Sequence, residues 1–187
     1  MKLLKNLLLV INLLLFLSNF NSPAVSFAQG MQNNANNPDS LLQAAREMIL
    51  GIRFCALITL DEEEHPQART MDPFLPDSNM VIWFGTNINS RKVQEIKNNS
   101  KATVYYQAEN GAGYVVLKGN AYWVDDPQLK SKYWKSEWEA FYPESRENYT
   151  LIKFVPFHLE IVDYKHNLVG DSITWEAPNL ELIQENR

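Results

Sequence analysis

The sequence predicts a mainly β fold, a small antiparallel β-barrel with flanking helices. Two observations carry that expectation. Six or so short runs rich in β-branched and aromatic residues are separated by turn signals, the spacing of an all-β domain. The few segments with helical spacing are also wrongly placed for alternating strand–helix–strand units, which excludes a doubly wound nucleotide-binding sheet. With 187 residues, the chain is long enough for one domain with a sizeable core.

Residues 1–28 read as a secretory signal peptide rather than as part of that domain. Lys2 and Lys5 make a positive start, Leu7 to Leu17 an apolar stretch, and Ser26-Phe27-Ala28 a small-x-small cleavage site. The apolar stretch is short for a membrane span, which needs about 20 residues. The expectation is therefore export by a Sec-type route, periplasmic or extracellular, with no stable membrane insertion after cleavage; an uncleaved anchor is the alternative. Residues 29–38, rich in Asn and Gln, read as a flexible tether.

The folded domain is expected over 39–178, with 179–187 as a C-terminal tail. Asp39 or Ser40 can cap a helix through Leu41, Ala45, Met48 and Ile49 that stops at Gly51. Phe54–Leu60 and Gln67–Met71 flank the acidic turn Asp61-Glu62-Glu63-Glu64-His65-Pro66 and form a hairpin. The three glutamates are a solvated loop tip without the rigid frame of a metal site. Met80–Gly85 is a strand and Ser90–Asn98 a helix with Val93 and Ile96 at helical spacing. Ala102–Gln107 and Tyr114–Val124 are strands, the second carrying Gly119 as a bulge or sharp bend. Asp125-Asp126-Pro127 opens a helix bearing an aromatic stripe, Tyr133, Trp134, Trp138 and Phe141, expected in a core or subunit interface. Tyr149–Val155 and His158–Tyr164 complete the strands.

Composition excludes some functions. Without its leader the chain has 15 basic and 22 acidic residues, a formal charge of −7, which argues against nucleic-acid binding. Cys55 is the sole cysteine, so no internal disulfide can form, and its apolar setting reads as a small buried hydrophobe. Glycine-rich phosphate loops, CxxC pairs, HExxH and G-x-S-x-G are all missing. His65, His158 and His166 lack metal-ligand spacing, and no metal is expected; His65 reads as turn surface and His158 as facing outward.

One segment does suggest chemistry. Thr86-Asn87-Ile88-Asn89-Ser90-Arg91-Lys92 follows a strand and opens a helix, placing hydroxyl, guanidinium and ammonium groups at the end that attracts anions. Exposed cations at a helix start are common decoration. Arg69, on the neighbouring hairpin, alternates with apolar residues and adds a second guanidinium. A paired Arg and Lys suit a dianionic phosphate.

The order of motifs resembles the pyridoxamine 5'-phosphate oxidase-like family, in particular its general-stress-protein branch of FMN-binding split barrels. The resemblance runs from Ala68-Arg69-Thr70-Met71-Asp72-Pro73 through Val81–Asn87, Ser90-Arg91-Lys92-Val93, Gly113-Tyr114-Val115 and Gly119-Asn120-Ala121. It extends to Trp138–Pro143 and Gly170–Trp175 and covers about residues 40–178. It implies a six- to seven-stranded antiparallel split barrel that forms a homodimer, with FMN held between subunits. On that resemblance Arg69, Ser90, Arg91 and Lys92 hold the phosphate, and Thr70 and Met71 line the isoalloxazine ring. Thr86 and Asn87 lie beside the ribityl chain and ring, and Trp175 covers the ring from the partner subunit. The chain departs from true pyridoxine-phosphate oxidases in three places. Tyr114 stands where they present Gln to the flavin, Phe74 where they carry a substrate-phosphate Lys, and Asp163–Asn167 replaces an Arg-x-His-Asp-Arg segment. The resemblance thus implies an exported FMN-dependent oxidoreductase whose small-molecule substrate is unknown and is not pyridoxine phosphate. The alternative is a non-enzymatic split barrel binding flavin or haem, and a deazaflavin is a third cofactor with the same kind of phosphate handle. No catalytic residue is named by the sequence.

Overall fold

The computed structural model describes residues 37–142 and 146–183; the expected signal peptide and most of the expected tether lie outside them. Helix α1 (Pro38–Leu50) begins two or three residues earlier than expected. Asn37 caps it, accepting from Asp39 N at 3.0 Å, and Pro38 takes the first position, where no N–H is needed. The hairpin β1 (Cys55–Leu60) and β2 (Pro66–Met71) follows. Next come β3 (Ile82–Asn87), α2 (Arg91–Asn98), β4 (Lys101–Gln107) and β5 (Gly113–Val124). Helix α3 (Pro127–Lys132) precedes β6 (Tyr149–Asp163), and β7 (Asn179–Glu181) pairs with β6 inside the stretch expected as tail.

All pairings are antiparallel, in the order β2-β1-β4-β5-β6-β3. The first and last of these strands nearly meet. Just past β2, Pro73 bridges Phe84 of β3, and Phe74 N donates to Trp83 O at 2.9 Å. The sheet therefore curls into a barrel joined by a short seam instead of a full ladder, which is a split barrel.

Strand β6 is one continuous element where two were expected. Proline inside a strand usually marks an edge or a bulge, because it cannot donate to the ladder. Here the register slips at that point: Lys118 pairs with His158 and Gly119 with Pro156, leaving Phe157 as the extra residue. Gly119 permits the slip, since a Cβ there would lie 2.7 Å from Pro156 Cα. The bulge foreseen at Gly119 is real, and its extra residue belongs to the partner strand.

The barrel interior and one face of α1 form the main core, with Leu41, Ala45, Ile49, Leu57, Phe84, Val104, Leu117 and Phe154 all buried. A second cluster covers the outer face of β3 and β6, where Trp83, Tyr149 and Leu151 meet Phe74, Tyr133, Trp134 and Trp138. Covered on both faces, β3 reads as a continuous apolar run. The aromatic stripe is not on one helix as expected. Tyr133 leaves the helical region at φ −100°, ψ 60°, and the chain resumes as a 3₁₀ turn over Ser136–Phe141. Breaking the helix lets Trp134 and Tyr142 meet Tyr149 edge-on and Trp138 lie tilted against it, with centroids 5.0–6.1 Å away. Among the described residues no helix is long and apolar enough to cross a membrane.

Candidate functional site

The segment between β3 and α2 is shaped by Asn87. Its Oδ1 accepts from Asn89 N at 2.8 Å, and its carbonyl accepts from Ser90 N at 3.0 Å, so the chain turns sharply into α2. Ser90 sits at the cap position with extended backbone, yet its hydroxyl makes no cap bond. It lies 3.4 Å from Thr86 Oγ1 instead. No acidic residue occupies the first turn, so the positive end of the helix is left with Arg91 and Lys92 upon it.

Lys92 folds back over β3 and donates to Thr86 Oγ1 at 3.0 Å. Its half-buried ammonium is held below the ordinary lysine range, first by desolvation and then by the positive charge of Arg69. Glu95 draws the two arginines together. Its side chain is only 4% exposed; Oε2 accepts from Arg69 Nη2 at 2.6 Å and from Thr59 Oγ1, and Oε1 lies 2.9 Å from Arg91 Nε. Oε1 has no well-aligned hydrogen bond among the described residues, its contact with the 72% exposed Arg91 being an ion pair only. Arg69 also donates to Leu57 O at 3.3 Å and to Thr59 Oγ1. Three cations and one carboxylate leave the cluster at about +2, the complement of a phosphate dianion.

Beside the cluster runs a groove of about 440 Å³, lined by Thr70, Met71, Thr86, Asn87 and Lys92 and walled by Trp138, Phe141 and Tyr142. Gly85 in its floor is what admits Trp138, since a Cβ there would run into the indole ring and lie 2.7 Å from the Tyr149 ring. Asp72 closes one end, accepting from Lys135 Nζ at 2.8 Å and lying 3.4 Å from Trp138 Nε1.

Five of the nine residues expected at the site therefore line one groove: Thr70, Met71, Thr86, Asn87 and Lys92. Ser90 adjoins it through Thr86. Arg69 and Arg91 stand behind, turned toward Glu95. Trp175 is not brought in: it is 85% exposed, at φ 60°, and does not line the groove within one chain. Sequence reasoning missed Glu95, although its position four residues after Arg91 on the apolar side of α2 is a signal. It also missed Thr59, which nothing in its local sequence marks, and gave no role to Asp72, although Asp72 lies in the motif that follows Arg69. The acidic turn is better ordered than expected: Asp61 Oδ1 accepts from His65 N at 2.8 Å and Glu63 N at 3.1 Å. One oxygen each of Asp61 and Glu63 and a ring nitrogen of His65 lie within 4.8 Å of one another, and Glu63 and His65 are exposed. His158 alternates with the buried Leu159 and so faces away from the core, as expected, though it is largely covered, with Glu181 of β7 2.8 Å from its Nδ1.

The sequence profile described as "Pyridoxamine 5'-phosphate oxidase like" matches residues 41–175. The chain belongs to this family. Solved structures agree with the assignment. General stress protein 26 from Bacillus anthracis is 27% identical, with a TM-score of 0.56 over 64% of this chain and 92% of that one. A pyridoxamine 5'-phosphate oxidase-related, FMN-binding protein from Nostoc punctiforme is 13% identical, with a TM-score of 0.53 over 75% and 92%. A heme-binding protein from Mycobacterium smegmatis is 14% identical, with a TM-score of 0.52 over 63% and 52%. The last two share the fold alone. No curated protein sequence matches the chain significantly. In this member of the oxidase-like family, Phe74 packs edge-on against Tyr133 at 5.1 Å and Trp138 at 5.6 Å. Tyr114 donates to Glu160 at 3.1 Å.

Proposed function

We propose that this protein binds FMN and acts as an FMN-dependent oxidoreductase on a small molecule other than pyridoxine phosphate. The observation that carries the reading is the cation cluster at the start of α2, opening onto a groove with an aromatic wall. The residues suit the group: Lys92, Ser90 and the helix start hold the phosphate, with Arg91 swinging from Glu95 to join them. Thr86 and Asn87 offer polar groups to the ribityl chain, while Thr70, Met71 and Trp138 border the ring. Flavin supplies hydride or electron transfer when bound; the protein's part is binding, orientation and exclusion of water. The flavin reading is preferred over haem because the groove opens onto a cation cluster suited to one phosphate and no histidine among the described residues lines it. A non-enzymatic binding module is the second reading, supported by Phe74 standing where a substrate-phosphate Lys would be.

The pattern of Lys2, Lys5, Leu7–Leu17 and Ser26-Phe27-Ala28 supports export, so FMN would be acquired after translocation through a Sec-type route. A homodimer with the ring between subunits is the assembly in which Trp175 would reach a groove.

The test is a pair of titrations with FMN and riboflavin, which differ only by the phosphate. The protein is expected to turn yellow and to prefer FMN, and replacing Arg91 and Lys92 together by Ala should remove about a hundredfold of FMN affinity. Riboflavin affinity should stay within about twofold. A folded protein that takes up neither flavin overturns the reading. Bound flavin that cycles with a reductant and an acceptor supports the oxidoreductase, and tight binding without turnover the module.

A further inference from the structure

A second cavity, of about 380 Å³, lies on the far side of Asp72 from the groove. It is framed by the end of α1, the chain after β2 and the approach to Ser136–Phe141, with Ile49, Ile52, Phe74 and Leu75 as apolar walls. Two polar side chains line it with hydrogen-bonding capacity unspent. Tyr106 of β4 is fully buried, and its hydroxyl has no hydrogen-bond partner among the described residues. The Cys55 thiol beside it is a weak partner at best, pushed up to about 12 by burial and so held neutral. A buried hydroxyl whose neighbour is a neutral thiol has exchanged its hydration for a weak contact.

Arg53 is the second. Its guanidinium stands 3.7 Å from Asp72 Oδ2 and 3.9 Å from Glu137 Oε1, beyond hydrogen-bond reach. All five of its N–H donors are therefore available in a geometry that matches a carboxylate. Lys135 is already committed, donating at 2.8 Å to both Asp72 Oδ1 and Pro73 O. Charges at the site cancel, two basic against two acidic, so the cavity has no net attraction for a phosphate dianion, and recognition of a carboxylate rests on the Arg53 donors.

We infer that this cavity binds a small cyclic carboxylic acid bearing a hydroxyl or carbonyl group remote from its carboxylate. The carboxylate pairs with Arg53, the ring lies among Ile49, Ile52, Phe74 and Leu75, and the remote oxygen meets Tyr106 Oη. The volume is that of a small-ligand pocket, room for one ring and its substituents. Asp72 lines both the cavity and the groove, so a ligand here would be a neighbour of the flavin. Its role as substrate rests on the flavin reading; its binding does not.

The experiment titrates the purified protein, with and without FMN, against 4-hydroxybenzoate, benzoate and 4-hydroxybenzyl alcohol, followed by NMR shifts. Wild type is expected to bind 4-hydroxybenzoate about tenfold more tightly than either analogue, the worth of one good hydrogen bond or exposed ion pair. Tyr106→Phe should bring 4-hydroxybenzoate down to the benzoate level while benzoate itself is unchanged. Arg53→Gln, at an exposed position, should abolish the preference for the acid over the alcohol. Equal affinity for all three probes, or preferences untouched by either substitution, overturns the inference. Acid binding with these preferences in a protein that takes up no flavin sinks the flavin reading and leaves this one standing. Flavin uptake without acid binding does the reverse.

Discussion

Lys92 is held between two demands. Desolvation and Arg69 favour its neutral form, whereas a phosphate needs the ammonium. In the free protein its titration is displaced downward, and a bound dianion would draw it back up. FMN affinity should therefore be flat near neutrality and fall as pH rises through the lowered lysine range, approaching tenfold per unit. Lys92→Arg, which stays charged, should abolish the fall. Titrations from pH 7 to 10.5 check this, and an identical decline in both proteins would point to another group.

Glu95 makes a different prediction. A buried carboxylate that balances a largely buried guanidinium is costly to neutralise, because the remaining charge is left without its partner. Glu95→Gln should lower stability by roughly 3 kcal/mol, read from urea unfolding of the flavin-free protein. A loss below about 1 kcal/mol would mean that Arg69 is not held by charge.

At the scale of elements, the sequence was most legible where one local rule decides the outcome. Apolar spacing located α1 and α2, and the acidic turn located the β1–β2 hairpin. Asp126 and Pro127 marked the start of α3, where Asp126 Oδ1 accepts from Leu129 N at 2.8 Å. Elements governed by tertiary packing were less legible. The break after Tyr133 is set by the outer face of β3 and β6, and continuity of β6 through Pro156 depends on Gly119, more than thirty residues upstream. The same holds for the site. Lys92 and Thr86 announce themselves as a helix start, and Glu95 is signalled only by Arg91 one turn before it; its pairing with Arg69 needs β2, and that of Asp72 with Lys135 needs the chain after α3. Gly119→Ala tests the long-range case. The added methyl would press on Pro156 and Phe154, so unfolding free energy should drop by about 1–3 kcal/mol, the usual range for overpacking. Gly111→Ala is the control in part: it adds the same methyl where nothing lies within 4 Å, although φ there is +69°. Its loss should be about 1 kcal/mol, from backbone strain alone. Equal losses at both sites would show that the β5–β6 slip tolerates a side chain.

For the whole molecule, the exposed aromatics pose the question. Trp175 is 85% and Phe141 77% exposed; Phe141 borders the groove while Trp175 lies outside it. Burial of one large aromatic side chain is worth about 1.5–3 kcal/mol, so leaving two in water is a sizeable omission for a single chain. A second copy related by a two-fold axis would remove both at once, because each subunit would receive the other's Trp175. Sedimentation of the protein should accordingly give a dimer at micromolar concentration. Trp175→Ala should weaken flavin binding about tenfold and shift the flavin absorption band, the loss of one stacked ring face. It should leave the circular dichroism of the barrel unchanged, since the segment adds no core side chain but Ala177 and Leu168. The phosphate side supplies the internal control: the ratio of FMN to riboflavin affinity should not move with Trp175, whereas it collapses when Arg91 and Lys92 are removed. A monomer that binds flavin with full affinity would place the ring-covering group within the same chain, with Phe141 on the groove wall as the residue to replace next.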